Sequence, residues 1–429
     1  MDIAVIGGGF TGLTAAYTLT KLGHRVSIFE KESFLGGLAY GFTFPGWEWH
    51  MEGAYHHLFT NDNSILSLLQ DLGLKDDLII KRPITASLWH SVMYQLDSPI
   101  SLFTFPGLGP VDKFRTAILL AFLKVMPFWQ PLEGITAEQL LVSIGGKNAF
   151  TTIWEPLLYG KFGEYAPKVA ASWFWARIQK RTPSLCYIRG GFHTLVEALR
   201  AVIIKNGGTI LTSTVIHSVK RTSADSYTLS WGSNKQTFDR ILLTIPTPAA
   251  FKLIPDLPST DKRYAALSAI PHLFAQTLIL ETDAPILKDV YWLNVTDRSF
   301  PFLAAVAHTN FMDKTHYGGH HLTYFGNYLP QGHRYLSMTA QELLKEFRPF
   351  IHSLSSGTRY KILHTHMFIG PFAQPVHTRH YSQKIPPITT PLPSTYLANM
   401  DFIYPWDRGT NYAVELGQRA ANLIVKKTI

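Results

Sequence analysis

Three glycines near the N-terminus constrain this chain more than anything that follows them. An apolar run from Ile3 to Ile6 leads into Gly7, Gly9 and Gly12 in G-x-G-x-x-G spacing. An amphipathic stretch comes next, and a second apolar run through Val26, Ile28 and Phe29 ends at Glu30. This order predicts strand, turn, helix, strand. In such a unit Gly7 permits the tight turn, Gly9 admits a pyrophosphate against bare backbone, and Gly12 lets the helix settle on the sheet. The phosphates then face the first N–H groups of the helix and the positive end of its dipole. Glu30 stands eighteen positions after Gly12, close to the ~20 expected of a carboxylate that accepts from a ribose diol. Phe10, Thr11 and Lys31 complete this first candidate cofactor-binding set. No basic residue takes the place of Glu30, so a 2′-phosphate is not expected.

With 429 residues the chain exceeds what one core usually supports, and two domains are expected. Its 46% hydrophobic and 16% charged content is that of a well-buried globular protein. The net charge of +9 is scattered, with no dense basic run, so nucleic acid is not an expected partner. Cys186 is the only cysteine, which rules out an internal disulfide and suits a reducing compartment. The first strand begins at once, leaving no room for a signal peptide, and a cytoplasmic location is expected. The most apolar segment, Thr116 to Leu123, is far below the ~20 residues of a membrane span. It reads either as a buried helix or, with Phe128 and Trp129 beside it, as a helix dipping into a membrane surface.

Beyond Glu30 the paired Gly36 and Gly37 are unexplained by a dinucleotide fold alone. Here the chain resembles the flavoprotein group of flavin-containing amine oxidases, protoporphyrinogen oxidases and phytoene-type desaturases. The resemblance implies that the pair lets the backbone pass close to the flavin end of FAD, with Leu38 standing where that group often has arginine. The stretch Trp47 to Asp62 also resembles the flavin-facing segment of UDP-galactopyranose mutases, which implies that His56 or His57 lies near the flavin ring. Histidine is the side chain whose proton moves near neutral pH.

From Asn61 to Arg181 the texture is helical and aromatic. Ser64 to Leu72 reads as a helix, and Lys161 among Trp154, Tyr159, Phe162, Trp173 and Trp175 suggests a pocket for a bulky substrate. Tyr187 to Leu199 reads as a glycine turn and helix, followed by a turn at Gly207–Gly208 and a strand through Val215. The resemblance places Val215 against adenine. Tyr227 to Trp231 and Arg240 to Ile245 read as further strands. From Ala249 to Thr390 the period turns towards two, predicting a largely antiparallel sheet interrupted by a helix over Glu342 to Leu354. Its many histidines, among them His308, His364, His366 and His377, have no acidic or cysteine partner at metal-ligand spacing, so no metal site is expected. A lining for an anionic substrate is the alternative reading.

Tyr396 to Val425 is the second anchor: a strand, an aromatic and proline turn, then Gly409 opening a helix. A glycine before an uncharged helix start suits an anion. The resemblance implies that Arg408, Gly409, Thr410 and Asn411 close over the flavin. Asp407 and Arg408 also read as a local ion pair.

The expected fold is therefore α/β. A Rossmann-like FAD-binding domain, a parallel sheet with an antiparallel hairpin insertion, is expected from residues 1–60, 182–248 and 391–429. A mixed α+β substrate domain is expected from 61–181 and 249–390. The expected function is an FAD-dependent oxidoreductase taking a hydride from a C–N or C–C bond of a bulky, mostly apolar small molecule. His56, His57 and Lys161 are its candidate catalytic residues, and FAD is held non-covalently because Cys186 precedes the central glycine turn. Two alternatives stand beside it: a UDP-galactopyranose mutase-like flavoenzyme with no net redox change, and a non-catalytic flavin-binding or membrane-associated protein.

Overall fold

The computed structural model describes residues 1–223, 225–355 and 357–426. Its first layer is a five-stranded, wholly parallel sheet in the order Thr209–Leu211, Arg25–Phe29, Asp2–Ile6, Arg240–Leu243, Thr395–Leu397. Distant segments thus meet side by side on the central N-terminal strand, where Ile3, Ala4 and Val5 are wholly buried. A parallel sheet is covered on both faces, which is why these strands read as continuous apolar runs and not as alternation. Helices Phe10–Lys21 and Thr410–Val425 pack against each other beside the sheet. Between the third and fourth chain segments of the sheet lies an antiparallel three-stranded unit, Ser218–Arg221, Tyr227–Trp231 and Asn234–Phe238.

The strand expected to run through Val215 ends at Leu211. There the chain bends round the end of its neighbour. The Glu30 amide donates to Leu211 O and the Thr214 amide to Glu30 O, at 2.8 Å each, and Ser213 adopts a φ of 49°. The C-terminal strand likewise stops at Leu397, because the Asn399 side chain accepts from the Asp401 amide (3.1 Å) and starts a tight helical turn.

The second large sheet has seven strands, in the order Ile362–Pro375, His272–Thr282, His321–Pro330, Ala304–Ala307, Val290–Val295, Ile84–Trp89, Val92–Gln95. It is antiparallel except where Val290–Val295 runs parallel to Ile84–Trp89. The last two strands correct the expectation of helix throughout Asn61 to Arg181. They are joined at His90–Ser91, both at positive φ (48° and 62°). That is the backbone of a tight hairpin turn, a conformation usually signalled by Asn-Gly or Asp-Gly and here unsigned in the sequence. The helix expected over Glu342 to Leu354 begins at Ala340, with Thr339 and Glu342 forming a reciprocal capping box.

The two helices that flank the parallel sheet touch at a glycine. A Cβ at Gly417 would stand 2.5 Å from the Thr11 carbonyl oxygen and 2.9 Å from Thr14 Cβ. Neither contact yields without moving a helix. Overpacking of this kind costs about 1–3 kcal/mol, so Gly417→Ala is expected to lower Tm by about 1–3 °C, at ~1 °C per kcal/mol for a chain of 429 residues. Calorimetry checks this, and an unchanged Tm contradicts the close helix crossing.

Candidate active site

The glycine turn and the second strand are tied together around Glu30. One Glu30 carboxylate oxygen accepts from the Gly8 amide at 2.7 Å and the other from the Glu32 amide at 2.9 Å. The Gly36 amide donates to Gly8 O at 2.9 Å, so the glycine pair lies directly against the first loop. Gly12 has no room for any side chain, since a Cβ there would stand 2.0 Å from Gly7 O. Gly9 is the opposite case: a Cβ there would meet nothing nearer than Gly37 Cα at 3.8 Å. The space in front of Gly9 is open.

Two helices that pack against each other begin alike. The helix from Phe10 and the helix from Thr410 both start on glycine, without a side-chain cap and without an acidic residue in the first turn. Orphan N–H groups at a helix start need a partner, and an anion serves best. A cradle with open space at Gly9 and an uncapped helix start at Phe10 fits the pyrophosphate of FAD.

The remaining residues expected from the sequence divide. Phe10 and Thr11 sit in the first helical turn, and Phe10 meets Phe192 edge-on with ring centroids 6.2 Å apart. Gly37 and Leu38 continue inward, Leu38 packing towards Gly370. Lys31 points to solvent and pairs with Glu32. Val215 is exposed beside the end of the sheet. Gly409 is exposed, while Thr410 is buried. The Asn411 side chain is committed elsewhere: its Oδ1 accepts from the Ser64 and Ile65 amides (3.0 and 3.2 Å) and caps the helix Asn63–Asp71.

Beyond the glycine cradle lies a polar cluster, half-buried at Lys161, Asp407 and Arg408 and open to solvent at Arg177. Asp407 does not pair with Arg408 as the sequence suggested. Its Oδ2 meets Arg177 Nη1 at 2.8 Å and Lys161 Nζ at 3.4 Å, while its Oδ1 accepts from Gln374 Nε2 at 3.1 Å. Arg408 instead donates from Nε to Gln374 Oε1 at 2.9 Å. Lys161 and Arg408 both lie over the Tyr328 ring, at 4.9 and 4.8 Å from its centroid, and Arg177 lies over Trp173 at 5.3 Å. Arg177 belongs to the aromatic and charged stretch that suggests a pocket, whereas Gln374 and Tyr328 had no motif to announce them, because they come from separate strands that only the fold brings to it.

Burial sets the charges here. It pushes Lys161 down to about 7, against the pull of Asp407. It pushes Asp407 upward, but Lys161 and Arg177 more than offset this and hold the carboxyl well below its ordinary value. Burial lowers Arg408 to about 10. His56 and His57 fall to about 4 and about 3, again chiefly by burial, so both are neutral at pH 7. His56 Nδ1 lies 2.7 Å from Ala54 O, which can only accept. The proton therefore resides on Nδ1, and Nε2 is left as a proton acceptor. His57 Nδ1 is engaged with the Tyr291 hydroxyl at 3.1 Å.

Of the other histidines, His364 and His366 line one cleft with Phe44 and Arg348, away from the remaining ones. His308 is buried against the Tyr317 hydroxyl (2.7 Å), and His366 sits among Phe42, Phe44 and Trp47. His377 is buried with neither ring nitrogen hydrogen-bonded. A second buried group escaped the sequence altogether: Asp401 accepts from Thr247 Oγ1 and lies 2.6 Å from His272 Nε2, joining the end of the parallel sheet to the start of the large antiparallel one.

The sequence profile described as flavin containing amine oxidoreductase matches residues 10–425. The chain belongs to this family, which makes it an FAD-dependent oxidoreductase. Zeta-carotene desaturase of Arabidopsis thaliana is 26% identical over 181 residues, which are 37% of this chain and 32% of that protein. The match thus spans about a third of that relative's length. A crystal structure from Exiguobacterium sp. 255-15, provisionally classed as a protoporphyrinogen oxidase, superposes with a TM-score of 0.76 at 17% identity, over 99% of this chain and 98% of the other. Cyclohexylamine oxidase from Brevibacterium oxydans IH-35A does so with a TM-score of 0.72 at 14% identity, over 99% and 98%. At such identities the likeness establishes the fold.

Lys161 carries a direct test. With a folded value near 7 and an unfolded value near 10.4, the unfolded chain holds a proton that the folded chain lacks between those limits. Stability linked to Lys161 therefore rises with pH across that window. In protein labelled with ζ-15N-lysine, NMR should show one lysine titrating near pH 7, absent from Lys161→Met and displaced to lower pH in Asp407→Asn. A full set of lysines titrating near 10.4 contradicts the buried pair.

Proposed function

We propose that this chain, a flavin containing amine oxidoreductase by family, takes a hydride from a C–N or C–C bond of a bulky, mostly apolar small molecule. The observation that carries this is the aromatic cluster in which Lys161 and Arg408 overlie Tyr328, Arg177 overlies Trp173, and Tyr55 stands edge-on to Trp292 with ring centroids 4.9 Å apart. Aromatic walls with a few fixed polar groups suit a large apolar substrate.

In this reading Gly7, Gly9, Phe10, Thr11, Gly12, Glu30, Gly36, Gly37, Arg408, Gly409 and Thr410 hold FAD. The cofactor supplies a two-electron acceptor for the hydride. The protein's share is to orient the substrate and to receive the proton that an amine nitrogen or the neighbouring carbon must lose with it. His56 Nε2 is neutral and unprotonated at pH 7, and Lys161 Nζ titrates near 7. Lys161 is the better matched, since a catalytic base works best near the operating pH, whereas His56, at about 4, is a weaker proton acceptor. His57, held by Tyr291, orients its neighbour.

The cations also favour a refinement. Lys161, Arg177 and Arg408 face the single carboxylate of Asp407 among the paired groups. Such a surplus suits a substrate bearing an acidic group and disfavours a cationic amine. The same surplus supports a second reading, a mutase acting on a nucleotide sugar without net redox change.

Anaerobic titration of the purified flavoprotein with amines, porphyrinogens, polyenes and nucleotide sugars tests both. Bleaching of the flavin bands by an acid-bearing apolar donor is expected. Bands that persist with every donor, yet shift with a nucleotide sugar after chemical reduction, favour the mutase.

A further inference from the structure

The segment Thr116 to Leu123 lies within the helix Pro110–Val125, and only one side of that helix is buried, through Thr116, Leu119 and Leu123. The opposite side is apolar too. Val111, Phe114, Ile118, Phe122 and Val125 follow one another at steps of three and four and are 71%, 63%, 59%, 45% and 77% exposed. These steps align them in a single stripe facing solvent. Nearby in the chain, Ile100 and Phe103 on the helix Pro99–Thr104 and Phe128 beyond the long helix are exposed as well. Phe103 and Phe114 meet edge-on, with centroids 5.8 Å apart, so the two helices present one continuous face.

The charges beside the stripe are mostly positive and lack acidic partners. Lys113 Nζ donates to Phe103 O (2.8 Å), Arg115 to Ile144 O and Ser143 O (2.8 and 2.9 Å), and Lys124 Nζ to the carbonyls of Ile178, Gln179 and Arg181 (3.1, 2.8 and 2.9 Å). Backbone carbonyls fix these cations in place but do not neutralise them. Asp112, the one acid on the helix, binds Asn148. The surface beside the apolar stripe is therefore cationic, on a chain of net charge +9.

We propose that this face docks on an anionic lipid bilayer, with the stripe entering the headgroup and acyl boundary and the flanking cations resting at headgroup level. An interfacial helix of this kind sinks ~5–10 Å and binds by apolar area plus attraction to anionic lipid. A second copy of the chain fits less well. An isologous contact would bring Lys113, Arg115 and Lys124 of one protomer towards the same cations of the other, a like-charge pairing that an anionic surface avoids. No described helix is long and apolar enough to cross a membrane, so the contact is peripheral. The docked helix also reaches the interior: the Trp175 indole N–H donates to Met126 O just past its end (2.8 Å), and Trp175 stacks on Trp406 beside the Asp407 cluster (centroids 5.4 Å apart).

Flotation of the intact flavoprotein tests this, using vesicles of phosphatidylcholine alone and of phosphatidylcholine with about a third phosphatidylglycerol. Wild type is expected to float with the anionic vesicles, and much less with the neutral ones. The double variant Phe114→Asp/Ile118→Asp should lose at least about tenfold in affinity, and Lys113→Gln/Arg115→Gln should lose the preference for anionic lipid. Unchanged Tm and flavin absorbance confirm that these exposed substitutions leave the fold intact. Wild type that ignores both vesicles, or a Phe114→Asp/Ile118→Asp variant that floats as well as wild type, overturns the proposal. So does a wild-type dimer in sedimentation velocity that this variant converts to monomer without vesicle binding, which would assign the face to a second copy. None of these outcomes depends on which donor bleaches the flavin, so the docking face and the proposed chemistry fail separately.

Discussion

The structure depends on unmet backbone donors at two helix starts. The helices from Phe10 and Thr410 each begin on a glycine, carry no side-chain cap and have no acid in the first turn. Left alone, these N–H groups would cost stability, and a buried helix start without a partner is rarely tolerated. The arrangement makes sense when a phosphate-bearing ligand supplies the acceptor. Everything near them serves to hold the two starts in place: Gly417 lets one helix lie on Thr11 of the other, Glu30 ties the first loop to the second strand, and Gly36 pins its own segment to Gly8.

Local rules made the nucleotide-binding half readable. Gly7, Gly9, Gly12, Glu30, the Gly36–Gly37 pair and Gly409 each answer to a backbone need that a few neighbouring residues express. The large sheet was readable where strands alternate, as in Tyr291 to Val295, and unreadable at Ile84–Trp89 and Val92–Gln95. Those two strands turn at His90–Ser91, whose positive φ angles have no Asn or Gly to announce them. Val215 misled for a similar reason. Its apolar run looks like a strand, but the carbonyl of Glu30 and the turn at Ser213 end the pairing at Leu211.

The polar cluster was legible only in part. Sequence singled out Lys161 and Arg408, but not that Asp407 would bind Lys161 and Arg177 while Arg408 went to Gln374. Such a network is a product of long-range folding, assembled from residues about 160 to 410 by elements that share no motif. Its energetics follow from burial. A lysine beside a carboxylate would ordinarily stay fully charged, yet desolvation outweighs the attraction and brings Lys161 to about 7. The same term keeps His56 neutral. Lys161 is thus able to exchange a proton near physiological pH beside the rings of Phe162, Trp173 and Tyr328.

One measurement bears most directly on the two helix starts: the visible absorbance of the purified protein after gel filtration, with the cofactor released by acid and identified. A flavin spectrum travelling with the protein, from a cofactor that proves to be FAD, is the predicted result. A colourless protein that takes up no FAD on reconstitution would contradict it, and would leave the open space at Gly9 and the uncapped helix starts without an explanation.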